Sequence, residues 1–89
     1  MRLIDFIERD YRHMSEVTFE IVEHLGVLSE DTKGWQKEVN IVIWNGGAPK
    51  VDIRSWGEGH ERMSRGITLT MDEADNLAVI LDEWIEKNE

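Results

Sequence analysis

The sequence predicts an α+β domain in which four antiparallel strands are followed by one C-terminal α-helix (ββββα), with a short helical extension in front. Three observations carry that expectation. Apolar and polar residues alternate with period two over much of residues 18–69, as half-buried strands require. The turn-forming stretches SEDTKG, NGGAP and WGEGHERMSRG cut that region into four. From Thr70 onward the apolar spacing changes to three and four residues, as on a helix.

Length and composition bound the rest. Eighty-nine residues suffice for one small domain with a thin core. Cysteine is absent, which excludes disulfide scaffolds, thiolate metal sites and thiol nucleophiles and suits a cytoplasmic setting, nucleoid association included. The opening MRLIDFIERDYRHMSE is charged throughout, without the apolar run of a signal peptide, and no segment has the length of a membrane span. A formal net charge of −9 argues against a polyanionic partner until its distribution is considered. Residues 1–32 hold three basic and eight acidic side chains (−5), residues 66–89 hold one and seven (−6), and residues 33–65 hold six and four (+2). The centre is locally positive between two acidic ends.

Taken in order, residues 1–17 form the extension. Leu3, Ile4, Ile7, Tyr11 and Met14 recur at helical spacing, which suits packing on the domain more readily than a partner-docking arm. The domain proper occupies residues 18–89. In TFEIVEHLGVL, Phe19, Ile21, Leu25 and Val27 share one parity and are expected on the buried face of a first strand. WQKEVNIVIWN, rich in β-branched and aromatic residues, is the second strand, and the hairpin signal NGGAP leads to the third, KVDIRSW. After a polar loop, GITLT is a short fourth strand with Ile67 and Leu69 inward. A capping box at Thr70 and Glu73 then starts the helix. Its apolar residues, Met71, Ala74, Leu77, Ala78, Ile80, Leu81, Trp84 and Ile85, span roughly 180°, wider than one sheet face needs. Something beyond its own sheet is expected to cover it.

The third strand carries the functional signal. Period two places Val51 and Ile53 on one face and Lys50, Asp52, Arg54 and Trp56 on the other. Trp44 shares that second face across the hairpin, whereas Trp35 and Lys37 have the opposite parity. Indoles flanked by cations suit single-stranded nucleic acid, because unpaired bases stack on the rings while lysine and arginine neutralise phosphates. The competing reading makes Trp35, Trp44 and Trp56 core or dimer contacts and the lysines merely solvated.

The order FEIVEHLGVLSEDTKGWQKEVNIVIWN, PKVDIRSW, GITLTMDEADNLAVILDEW resembles the single-stranded-DNA-binding domain of the transcriptional positive cofactor four (PC4) family, most closely its bacterial YdbC-like branch. The resemblance covers about residues 18–86 and is most distinctive in GW-x-K-E at Gly34–Glu38, DIR-x-W at Asp52–Trp56 and GI-[ST]-L at Gly66–Leu69. It implies a curved sheet, a homodimer, and binding of single strands with little sequence preference. Carried over by position, it implies that Trp44, Arg54 and Trp56 stack bases or contact phosphates, that Lys37, Lys50 and Arg65 contact the backbone, and that Trp35 contributes. Leu77, Leu81, Trp84 and Ile85 are the corresponding dimer-interface expectation on the helix. Residues 1–17 have no counterpart in that domain, and the acidic ends weaken long-range attraction for a polyanion.

Other chemistry finds little purchase. His13, His24 and His60 lack metal-ligand spacing, MDEADN lacks the EF-hand pattern, and no Walker or Rossmann glycine loop is present. No enzyme, cofactor or metal is expected. Two function classes remain open: a single-strand-binding module supporting transcription, replication or repair, with RNA as an alternative to DNA, and a protein-interaction module using the aromatic ridge or the N-terminal arm. A transcription or replication protein is a further candidate partner.

Overall fold

The computed structural model describes residues 17–89. Four strands, β1 (Phe19–Glu30), β2 (Gln36–Trp44), β3 (Pro49–Trp56) and β4 (Met63–Leu69), are followed by α1 (Met71–Asn88). The sheet runs in sequence order and every neighbouring pair is antiparallel. The N-terminal helix expected around Leu3–Met14 lies outside the described residues.

Local chemistry explains the turns. Asn45 (φ 52°) and Gly46 (φ 72°) both take the left-handed backbone that a tight hairpin demands, and Gly47 N–H donates to the Trp44 carbonyl at 2.9 Å. Between β1 and β2, the Asp31 carboxylate accepts from the amides of Lys33 (2.8 Å) and Trp35 (3.0 Å), an Asx arrangement that sets Trp35 at the entry to β2. The capping box is complete: Thr70 Oγ1 accepts from Glu73 N–H at 3.1 Å and the Glu73 carboxylate accepts from Thr70 N–H at 2.8 Å.

The first strand departs from its expected parity. Its pairing with β2 slips between Ile21 and Glu23, between His24 and Gly26, and between Val27 and Ser29. Each slip adds a residue on one side and reverses the faces beyond it. Phe19, Ile21, His24 and Val27 therefore stand beside Trp44, Val42, Asn40 and Glu38, while Leu25 leaves the stripe and is exposed.

The β2–β3 register is unbroken, pairing Glu38 with Arg54, Asn40 with Asp52 and Val42 with Lys50. One face is thus polar and aromatic, and the other carries Val39, Ile41, Ile43, Val51 and Ile53. The parity expected for β3 holds, but the burial is inverted. Asp52 (0 %), Arg54 (5 %) and Trp56 (1 %) are shut in, and Val51 and Ile53 are half-buried. Inwardness of Ile67 is also overturned, since it is exposed next to the short β4 edge. Charge pairing, described below, is what makes the inversion affordable.

No residue of α1 is fully buried. Ala74 and Leu77 are half-covered, whereas Val79, Ile80, Leu81, Trp84 and Ile85 are exposed. A Cα radius of gyration of 14.8 Å exceeds the ~12 Å of a compact domain of this size, as expected for a helix that leaves its sheet.

Candidate nucleic-acid interface

The polar face is organised around the DIRSW segment. Asp52 and Arg54 lie two apart on β3 and so point to the same side. Arg54 Nε donates to Asp52 Oδ2 at 2.6 Å and Nη2 donates to Oδ1 at 2.8 Å, a bidentate fork. Thr68 Oγ1 donates to Asp52 Oδ1 at 2.8 Å from β4, and the Ser64 carbonyl accepts from Arg54 Nη1 at 3.4 Å. Every charge in this knot has a partner, which is the condition for burying it.

Aromatic rings cover the knot. Arg54 Cζ lies 4.8 Å from the Trp44 ring centroid, a cation–π distance. Phe19 contacts both indoles, 5.7 Å from Trp44 and 5.2 Å from Trp56, and His60 lies 5.3 Å from Trp56. Trp44 Nε1 and Trp56 Nε1 are enclosed without an acceptor among the described residues. Unpaired buried donors of this kind are uncommon in folded proteins.

Beside the rings a second buried group forms. The Glu38 carboxylate accepts from Asn40 Nδ2 at 3.0 Å and from His60 Nε2 at 2.9 Å and 3.0 Å, while His24 Nδ1 donates to Asn40 Oδ1 at 2.7 Å. Burial works to raise the Glu38 pKa, but the hydrogen bonds from Asn40 and His60 and the potential of His60 and His24 outweigh it, so the carboxyl lies below its ordinary value. His60 holds φ 59° next to Gly59 at φ 77°, so the contact with Glu38 fastens a bent 3₁₀ turn, Glu58–His60, over the end of the sheet. Among the described residues, no group of three or more His, Cys, Asp or Glu side chains stands where it would hold a metal ion.

The residues singled out from the sequence divide between the faces. Trp44, Lys50, Arg54 and Trp56 share the polar face, with Lys50 exposed at the hairpin and Trp44 half-buried. Lys37 pairs with Ser55 on the opposite face, where Lys37, Ser55, Ser64 and Arg65 line a groove of about 410 Å³. A bulge opposite Ser55 turns β4 there, since Arg54 pairs with Gly66 but Trp56 with Met63. Trp35 stands apart at the β1–β2 turn, with Arg62 Cζ 5.8 Å from its ring centroid. Phe19, Glu38 and Asn40 join the site without having been singled out. Phe19 looked like one more apolar strand position, and only its pairing with Trp44 reveals it.

Residues 32–80 match the family described as Transcriptional Coactivator p15 (PC4). The chain belongs to the PC4 family. It is also 36 % identical over 64 residues, 72 % of this chain and 75 % of the relative, to an uncharacterized protein of Treponema pallidum (strain Nichols). The matched PC4 segment contains β2, β3, β4 and the first half of α1, and with them the Asp52–Arg54 knot and both indoles. PC4 membership points to nucleic acid as the ligand class. Phe19, on β1, lies outside the matched segment. Among the described residues no helix is long and apolar enough to cross a membrane.

Proposed function

We propose that the protein binds single-stranded DNA with little sequence preference on the polar face of its sheet, as a homodimer joined through α1, in support of transcription, replication or repair. The observation that carries this reading is the aromatic cluster on the Asp52–Arg54 knot, with the Arg54 cation over Trp44 and the exposed Lys50 at the rim. Unpaired bases gain about 1–3 kcal/mol each by stacking on such rings, and duplex bases, already stacked, do not.

In this reading Arg54 supports the Trp44 ring, Trp56 supports Phe19, which lies against Trp44, and Lys50 meets the phosphates. Lys37 and Arg65, on the opposite face beside the β4 bulge, act on the strand electrostatically, and Trp35 with Arg62 offers a further aromatic and cationic contact at the far end. The uncovered residues Leu81, Trp84 and Ile85 of α1, with Leu77, are the dimer contacts, a second copy being the simplest closed cover for an apolar helix face.

Competition of a labelled oligo-dT by unlabelled single strand, duplex and RNA tests the reading. Single-stranded DNA should compete far better than duplex, and mixed sequences should compete about as well as oligo-dT. Equal competition by duplex would reduce the interaction to charge, competition by RNA alone would change the ligand, and no binding would favour a protein partner.

A further inference from the structure

Resting on that reading of the polar face, we propose that Phe19 is itself a base-stacking residue, and that Trp56, which the sequence motif makes most conspicuous, is the buttress beneath it. A stacked base needs a ring with an open side. Trp56 has none: it is 1 % exposed, with Phe19 5.2 Å and His60 5.3 Å away. Phe19 is 37 % exposed although it touches both indoles, which it meets at a tilt, 47° to Trp44 and 46° to Trp56. Its neighbours support the ring while leaving part of it open.

The ring is also fixed in position. Thr18 N–H donates to Asn45 Oδ1 at 3.0 Å, and Asn45 N–H donates to the Thr18 carbonyl at 2.8 Å. These two bonds clamp the start of β1 to the β2–β3 hairpin, and Phe19 is the residue that follows, in register with Trp44. A platform held this way loses little side-chain freedom when a ligand arrives. Lys50 pairs with Val42, which pairs in turn with Ile21, so the cation lies along the same strand ends as the Phe19–Trp44 platform. A nucleotide whose base rests on Phe19 and Trp44 thus has a cation close by for its phosphate.

Phe19→Leu keeps an apolar side chain and removes the π face; Phe19→Tyr keeps the face. Anisotropy of labelled oligo-dT, and of an abasic oligomer of the same length, separates stacking from phosphate contact. Phe19→Leu should weaken oligo-dT binding by about fivefold to 150-fold, the range for losing one stacked base, without changing abasic binding or salt dependence. Phe19→Tyr should bind oligo-dT as the parent protein does. Equal loss of oligo-dT and abasic binding, or none, overturns the role of Phe19 while leaving single-strand binding intact. If the parent protein binds neither oligomer, the reading of the face falls, and this inference with it. Photocrosslinking of the unmodified protein to a 5-bromouracil oligomer makes the test independent of whether Phe19→Leu folds: attachment at Phe19 supports the assignment, and attachment at Trp44 or Trp56 without Phe19 overturns it.

Discussion

Arg54 touches Asp52 twice, Ser64, Thr68 and the Trp44 ring, and is 5 % exposed. Its charge is therefore already neutralised inside the protein, unlike that of Lys50. Arg54→Ala leaves Asp52 buried and unpaired, and should cost about 3–5 kcal/mol of stability in urea denaturation. Lys50→Ala should leave stability nearly unchanged and flatten the log–log salt dependence of binding by about 0.7 for one lost phosphate contact. Glu38 gives a pH prediction. Its folded pKa is lowered, so its contribution to stability is complete above the unfolded carboxylate pKa and is lost as pH falls through the folded value. Denaturation across an acidic pH series should show that decline, and Glu38→Gln should show less of it. Asp52 and Arg54 were visible in the sequence as neighbours on one face, where Arg54 read as a ligand contact. Only the fork geometry shows that they satisfy one another.

Elements differ in how much local sequence determines them. Asn45–Gly46 and the Thr70–Glu73 box announce a turn and a helix start because their chemistry is complete within four residues. The bulges of β1 have no such signature, since they arise from how its twelve residues meet the nine of β2. Parity alone consequently misplaced Leu25. At Gly66 the reason for a motif residue is steric: an added Cβ would collide with Arg54 Cβ and the Ile53 carbonyl. Gly66→Ala should push β4 from β3 and loosen the Arg54 bonds to Ser64 and Thr68. Hydrogen exchange should report faster exchange in β4, with the Asn45 hairpin unchanged.

For the whole molecule, the sheet and the helix make separate demands. The polar face encloses Glu38, Asp52 and Arg54, while α1 leaves Trp84 63 % exposed together with Leu81 and Ile85. The wide apolar arc was legible in the sequence; what covers it was not, because a partner leaves no mark on the chain's own spacing. Analytical ultracentrifugation should give twice the 10.4 kDa chain mass, and Trp84→Glu should shift the protein toward monomer. The acidic ends predict modest affinity at physiological salt, with the +2 central segment supplying local rather than long-range attraction. Binding on the polar face is tested by a ¹⁵N NMR titration with oligo-dT, which reads every amide and indole signal at once. The Phe19, Trp44 and Lys50 amides and the Trp44 indole signal should shift and saturate together, while signals of α1 stay in place. Shifts confined to α1 or to the Val39–Ile43 side of the sheet would contradict it.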